Sequence, residues 1–504
     1  MPSLPRSSAL PAAGAEERLP GVVLVPIAAL ALAFGLGWSD GFLDPVGLVL
    51  VSLSLAAVVA ALLVGRPAGR ADGAGARSGT PWSSRILWAG VAASVVYDAI
   101  VVPGYFVPPE TLGAFRPVLA VAAVAVLSYL WARAPAPVVR FRFPVLVGVA
   151  AVLGGIVIRA SPRPPIDVWY FQQIGSLAIM RGVDPYLVAY PNIYGPFTPY
   201  YAASLLSPDH AYVLGNPYPP LTLLLAIPTA LLEADVRWTM LALVLFSAWA
   251  VRRLGRGSRA AELAAVLVLL QPRTFFVVEQ SWTEPTVLAS TLLALLAVEA
   301  SSRREASPGG AGVIGWIVTG LAGAVALSSK QYAPLLLAPV LFALPAARRW
   351  KTAALAVAGA ALVLLPFAVW DAPALYRSIV AFQLEQPFRP DSLSWPALVV
   401  RGGGPILPAW PAALIAAATM ALAAVRRPLS LERAVLAGAA AWLAFVVFSK
   451  QAFCNYYWLV VGLFCAAVAL RAGSDSAAAS RPAPEEPSSS VVAGRAAPEQ
   501  SAAR

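Results

Sequence analysis

Ile166-Asp167-Val168-Trp169-Tyr170, Arg181-Gly182-Val183-Asp184-Pro185-Tyr186 and Asn216-Pro217-Tyr218-Pro219-Pro220 punctuate a polar interruption at 166–220 in an otherwise apolar chain of 504 residues. What lies on either side of it decides the fold. Apolar runs of about 16–20 residues recur before and after it, close to the length a helix needs to cross a bilayer. Hydrophobic residues make up 59% of the chain against 12% charged, and the mean hydropathy is +0.74. No soluble domain hides that much apolar surface. The composition gives an all-α, polytopic integral membrane protein.

The net charge is +11, and of the 36 basic residues only Lys330, Lys351 and Lys450 are lysine. Arginine clusters fall between apolar runs, which reads as cytoplasmic loop charge rather than nucleic-acid binding. Cys454 and Cys465 share one apolar run, where a helix separates them by roughly 16 Å, too far to bridge. The single histidine, His210, excludes a multi-histidine metal site. Residues 1–20 and the Ala-, Ser-, Pro- and Glu-rich 471–504 read as disordered ends.

Passes are expected near 21–38, 46–65, 86–103, 115–132 and 144–159. A cytoplasmic N-terminus puts Arg66, Arg70, Arg77 and Arg85 inside, with Arg133, Arg140 and Arg142. Positive-inside bias then delivers Asp167 to the outer face. The segment 219–232 is too short to span. Counting it as a crossing would also put Arg252, Arg253, Arg256 and Arg259 outside, so it is expected to be interfacial or re-entrant. Later passes near 237–251, 261–278, 284–301, 311–328, 331–346, 353–370, 405–425, 434–449 and 454–470 keep each further basic cluster inside. The total is about 12–14 crossings. N-terminal membrane helices occupy 21–143, and a catalytic membrane domain occupies 144–470 with outer loops at 160–236 and 371–404.

That topology gathers one set of residues outside. Asp167, followed at once by Val168, Trp169, Tyr170 and Phe171, is a carboxylate in apolar company, the setting that raises a pKa and makes a base. Asp184 reads equally as a catalytic carboxylate or a turn former. Ser329-Lys330-Gln331-Tyr332 and Ser449-Lys450-Gln451 are near-identical turns, the second leading into Asn455-Tyr456. Their lysines suit a phosphate as point charges, although a single lysine there could merely snorkel. Arg159 precedes the first loop. Glu279 and Glu284 flank a turn and serve either as substrate contacts or as interface charges. The second outer loop adds Asp371, Glu385, Arg389, Asp391 and Trp395. Tyr186, Tyr190, Tyr194, Tyr200, Tyr201, Tyr212 and Tyr218 exceed what an interfacial belt needs, and such faces stack sugars or lipid head groups. No phosphate-cradling loop of the nucleotide type is present. A divalent cation held loosely by nearby carboxylates stays open.

At these residues the chain resembles the GT-C glycosyltransferases, which take sugars from polyprenyl-phosphate donors, and within them the family 87 mannosyltransferase and arabinofuranosyltransferase group. The resemblance covers roughly 145–470. It lies in Ile166-Asp167-Val168-Trp169-Tyr170, Gly182-Val183-Asp184-Pro185-Tyr186, Pro217-Tyr218-Pro219-Pro220-Leu221 and Lys330-Gln331-Tyr332-Ala333-Pro334. It implies that Asp167 is the essential first-loop carboxylate, acting as base or acceptor-orienting group. By charge logic as much as by the resemblance, Lys330 and Lys450 would hold the donor phosphate. Gln331, Tyr218, Tyr456, Glu279 and Arg159 are further candidate substrate contacts from their place on the outer face, and the Glu279–Glu284 turn takes no role from the family. The resemblance implies inverting transfer to a glycan or lipid-linked acceptor on the outer face of the cell membrane, with mannose as the commonest sugar. The chain departs from the family pattern in carrying four passes before the one that delivers Asp167. A transporter or flippase of lipid-linked or anionic substrates fits the same helices and broken segment. A non-catalytic assembly subunit would leave Asp167 dispensable.

Overall fold

The computed structural model describes residues 19–64, 80–305, 312–425 and 429–479. The ends 1–18 and 480–504, and the loop holding Arg66, Arg70 and Arg77, lie outside them, as do Arg426 and Arg427. Five helices come first: α1 (Leu19–Ser39), α2 (Pro45–Val64), α3 (Thr80–Ile100), α4 (Leu112–Leu127) and α5 (Ala136–Ala160). Next are α6 (Asp167–Met180), a two-stranded antiparallel hairpin of β1 (Ala189–Pro191) and β2 (Tyr212–Leu214), and α7 (Pro220–Leu231). Then follow α8 (Arg237–Leu254), α9 (Arg259–Leu270), α10 (Thr274–Glu279), α11 (Glu284–Glu305), α12 (Gly312–Leu327) and α13 (Ala333–Ala343). The last are α14 (Ala346–Tyr376), α15 (Phe382–Glu385), α16 (Trp395–Arg401), α17 (Trp410–Ala424), α18 (Leu431–Val447) and α19 (Cys454–Ala479). The hairpin is a small departure from an all-α chain.

Local chemistry accounts for these boundaries. The side chains of Ser258, Ser394 and Ser430 accept backbone N–H groups that open α9, α16 and α18. Proline stands in the first turn of α7, α13 and α17, where its missing N–H costs nothing. Arg252 and Arg253 close α8, and Arg303 and Arg304 close α11, where a cation meets the negative helix end.

Among the described residues, six helical segments are long and apolar enough to cross a membrane: Pro45–Val64, Pro109–Leu130, Ala136–Ala160, Glu284–Arg304, Ala346–Glu385 and Cys454–Ala478. Several other apolar runs expected as passes fold as shorter pieces. The run 261–278 is α9 and α10, broken at Gln271-Pro272-Arg273. Proline removes one N–H there, and Arg273 takes φ 76°. That left-handed backbone is held by an Arg273–Asp40 ion pair and a 3.1 Å bond from Arg273 to the Val102 carbonyl. The run 331–346 yields only the 11 residues of α13. The run 219–232 yields the 12 residues of α7. The chain after α7 returns to α6, where Gln173 bonds the Ala234 carbonyl and the Val236 N–H. So α7 does not carry the chain to the far end of the bundle. The outer loop expected at 371–404 is largely helical, since α14 continues past a kink at Asp371 into a π-helical turn Arg377–Ala381 and α15. The tail expected from 471 is helical as far as Ala479.

Burial sorts the bundle into centre and rim. In α9 every residue from Ala260 to Leu270 is buried, and 89% of the apolar window of α19 is buried against 17% for that of α14. α9 and α19 therefore form the axis, while α14 turns Val357, Leu362, Leu365 and Val369 outward, as lipid contact requires.

The two ends differ in chemistry. At one end, Glu262 of α9 is buried and takes Arg142 (2.8 Å), Arg252 (3.0 Å) and the Tyr129 hydroxyl (3.2 Å). The loops at 39–45, 101–111, 161–236, 271–283, 328–332, 377–394 and 449–453 meet at the other. Leu43 bonds Asp391, Tyr105 bonds Asp40, Gln172 bonds Ser281, and Arg389 bonds Lys450.

Removing one member of a buried pair strands its partners without water. Glu262→Ala should cost about 3 kcal/mol, whereas Arg256→Ala, which breaks a half-exposed pair with Glu299, should cost less than about 1 kcal/mol. Both cysteines are free and buried. Thermal unfolding in detergent, followed by a thiol-reactive fluorophore, reads the difference directly.

Candidate functional site

Asp167 is the first residue of α6, where the positive helix end favours a carboxylate. It accepts its neighbour Val168 N–H at 2.8 Å, the Tyr194 hydroxyl at 3.1 Å and the Tyr201 hydroxyl. Both tyrosines come from the long connection between β1 and β2. Tyr194 packs edge-on against Tyr200 at 4.8 Å, and Tyr201 packs against Phe382 of α15 at 6.2 Å. Arg389 lies over the Tyr200 ring at 4.1 Å and over Phe453 at 4.7 Å, and its guanidinium is forked onto Asp391 at 2.7 and 2.9 Å.

Burial pushes the Asp167 carboxyl above its ordinary range. The donors Tyr201, Tyr194 and Val168 and the charge of Arg389 pull the other way without cancelling it. Burial and the neighbouring carboxylate also raise the Tyr194 and Tyr201 phenols, so both stay neutral and donate. The result is a carboxylate steadied by two hydroxyls yet still partly exposed, a sound acceptor for a proton.

A second cluster adjoins the first through Tyr218. Its ring lies 4.6 Å from Lys330 Nζ, and it feels the charges of both Asp167 and Glu284. Lys330 pairs with Glu284 at 3.3 Å and donates to the Thr283 hydroxyl. The Tyr332 hydroxyl reaches the same Glu284 oxygen at 3.0 Å. Tyr332 stacks on Trp442 at 3.8 Å, and Tyr456 closes the group edge-on to both rings. Asn216 sets the Tyr218 turn by bonding the Phe171 carbonyl, the Tyr190 hydroxyl and the Tyr218 N–H.

The two Ser-Lys-Gln turns share a construction. Ser329 and Ser449 each bond a carbonyl three residues back, closing α12 and α18. Gln331 then reaches the Pro217 and Ile379 carbonyls, and Gln451 reaches that of Pro387. Lys450 bonds the carbonyls of Leu384, at 3.0 Å, and Gln386. It thus ties down the segment that carries Arg389, whereas Lys330 takes Glu284 and Thr283.

The remaining sequence candidates sit elsewhere. Glu279 is fully buried and accepts the Tyr105 and Phe106 N–H groups at 2.8 and 2.7 Å, so it anchors the loop after α3. A Cβ at Gly104 would lie 2.2 Å from that carboxylate, which accounts for the glycine. Asp184 accepts the Tyr186 N–H at 2.9 Å in the turn after α6. Burial raises its carboxyl, and the charge it feels is that of Asp371 rather than Asp167. Arg159 is exposed on the last turn of α5, and the guanidinium nearest Asp167 in effect is Arg389.

Sequence reasoning missed a positioning pair. Arg237 is wholly buried and pairs with Asp235 at 2.7 Å, while bonding the Ser161 hydroxyl and the Ser161 and Ile158 carbonyls. Asp235 also accepts the Trp169 indole N–H at 3.2 Å. This pair locks the end of α5, the first turn of α6 and the start of α8. The short Asp-Val-Arg spacing at a helix start was the available signal.

Among the described residues no group of three or more His, Cys, Asp or Glu comes together to hold a metal ion. Around Asp167 a cation would meet two phenol O–H donors and the opposing charge of Arg389, so the donor set does not fit one.

Infrared titration of wild type against Asp167→Asn should place the Asp167 midpoint above the ordinary carboxylate value of about 3.9. Tyr201→Phe removes a donor to the ionised form and should move the midpoint further up. A downward move would remove the phenol from that role. No protein-family model, curated protein or solved structure matches the chain.

Proposed function

We propose that this chain is an inverting membrane glycosyltransferase using a polyprenyl-phosphate sugar, with Asp167 as the base that activates the acceptor hydroxyl. The observation that carries the reading is the Asp167 carboxyl itself: raised by burial, steadied by two neutral phenols and set among aromatic rings packed edge to face. Such rings suit the apolar faces of a sugar.

Lipid linkage has separate support. An apolar cavity of about 240 Å³ runs between α11, α12, α13 and α14, lined by Leu327, Pro334, Leu337, Leu341, Ala356 and Val357 among others. Leu327 and Pro334 flank the Lys330 turn, and Leu341 lies near the far end of α13. A hydrocarbon chain along this path would leave its head beside Lys330. The polar lining is slight: the Thr319 hydroxyl is satisfied by the Gly315 carbonyl of its own helix.

The chemistry is a single displacement. The acceptor oxygen attacks the anomeric carbon while its proton passes to Asp167. The bond from that carbon to the phosphate oxygen breaks, and the electron pair leaves with the polyprenyl phosphate. Arg389 and Lys330 supply positive charge near the reacting groups, where preorganised charge stabilises a departing anion. Attack opposite the leaving group inverts the carbon. Reading the arginine-rich end as cytoplasmic supports an extracytoplasmic position for this site in the cell membrane. The sugar is proposed as mannose and the acceptor as a glycan or lipid-linked glycan.

Purified protein incubated with a radiolabelled polyprenyl-phosphate mannose and an acceptor should release free polyprenyl phosphate. Asp167→Asn should lower that rate by about 10²–10⁴-fold with membrane insertion unchanged. The wild-type rate should fall on the acid side at a pH above the ordinary carboxylate range, because protonation of a raised Asp167 removes the base. Movement of intact lipid-sugar across a vesicle membrane without release would instead identify a transporter.

A further inference from the structure

We infer that Glu284 is an internal stand-in for the donor phosphate: it holds Lys330 while the site is empty, and an arriving phosphate ester exchanges with it on the ammonium. This rests on the reading above and gives a role to a carboxylate which that reading leaves idle.

Glu284 has no exposed surface, and Lys330 is 7% exposed. Several acids of this chain use both carboxylate oxygens. Glu262 spends one oxygen on Arg252 and the other on Arg142 and Tyr129. Asp235 spends both on Arg237, and Glu279 spends both on backbone N–H groups. Glu284 does not, and unlike Asp98 and Asp184, which also leave one buried oxygen without a partner, it faces a lysine. Its Oε1 takes both Lys330 and Tyr332, and its Oε2 is buried without a hydrogen-bond partner. A sealed, half-satisfied carboxylate is poorly built as a permanent lock.

Lys330 is likewise held short of its capacity. It has three N–H donors, of which Glu284 and Thr283 take two, and the face of Tyr218 covers part of the ammonium. Tyr218 is also the residue that feels Asp167. A phosphate ester bound to Lys330 would therefore sit next to the acceptor side of the site.

Among the described residues, the groups facing Glu284 are Lys330, Tyr332, Tyr218, Tyr456 and Cys454, and of these only Lys330 carries a positive charge. A phosphate ester and Glu284 therefore compete for one ammonium.

The test is calorimetry on the full-length protein in detergent, titrated with the methyl diester of farnesyl phosphate, whose charge is fixed across neutral pH. Wild type should bind, Lys330→Ala should lose binding, and Glu284→Gln, which removes the competing charge, should bind about tenfold tighter. Wild-type binding that needs Lys330 but is not tightened by Glu284→Gln overturns the exchange and leaves the glycosyltransferase reading standing. Absence of wild-type binding, or binding indifferent to Lys330→Ala, overturns that reading as well. If Glu284→Gln does not fold, Glu284→Asp, which draws the carboxylate back from the ammonium, is read in the same way. Inorganic phosphate at equal concentration should not displace the probe; displacement would assign the site to a soluble anion.

Discussion

A guanidinium sealed from water has to find all its acceptors inside the protein, and that constraint on Arg237 organises the loop end. Its partners belong to the last turn of α5 and to Asp235 before α8, and Asp235 in turn holds Trp169 in the first turn of α6. None of these segments can shift alone without leaving a charge stranded in apolar surroundings. Asp167 stands two residues from Trp169, so its position follows from this junction. The phenols that steady it are added from a separate loop, and Arg389 from a third.

The same rule explains the shape of the rest. Membrane-depth backbone must be satisfied within the protein, and breaks occur where side chains can complete the bonding. The break between α9 and α10 is filled by Arg273 with Asp40 and Val102. The turn after α12 is filled by Ser329, Lys330 and Gln331, and the turn after α18 by Ser449, Lys450 and Gln451. The repeated tripeptide is thus a common way of closing a helix and pinning a neighbouring loop. Only the first copy meets a carboxylate.

Much of this was legible in the sequence, and the reasons for the rest are physical. Helical runs, arginine clusters and the non-crossing α7 follow from local composition and length, which a chain displays openly. Asp167 stood out because its aromatic neighbours are adjacent in sequence. Its holders Tyr194 and Tyr201 did not, since seven loop tyrosines look alike until a fold selects two. Arg159 was near Asp167 in sequence but ends exposed on α5, while Arg389 reaches it through tertiary packing. Glu279 and Glu284 belong to one turn and meet opposite fates: one is saturated by backbone N–H groups, the other faces a lysine. The run 261–278 read as one pass yet forms α9 and α10, because hydropathy registers apolar length and is blind to a break such as Gln271-Pro272-Arg273.

The site draws Asp167, Tyr218, Glu284, Lys330 and Arg389 from across nearly half the chain, and the segment bearing Arg389 is pinned by Lys450 just before α19. During synthesis, therefore, the bundle can insert helix by helix long before the site exists. Asp167 waits through some 280 further residues for the turn that fixes its last neighbour in place. The contacts that fix the segment of Arg389 can form only once the chain has been made through Lys450, just before the axial helix α19.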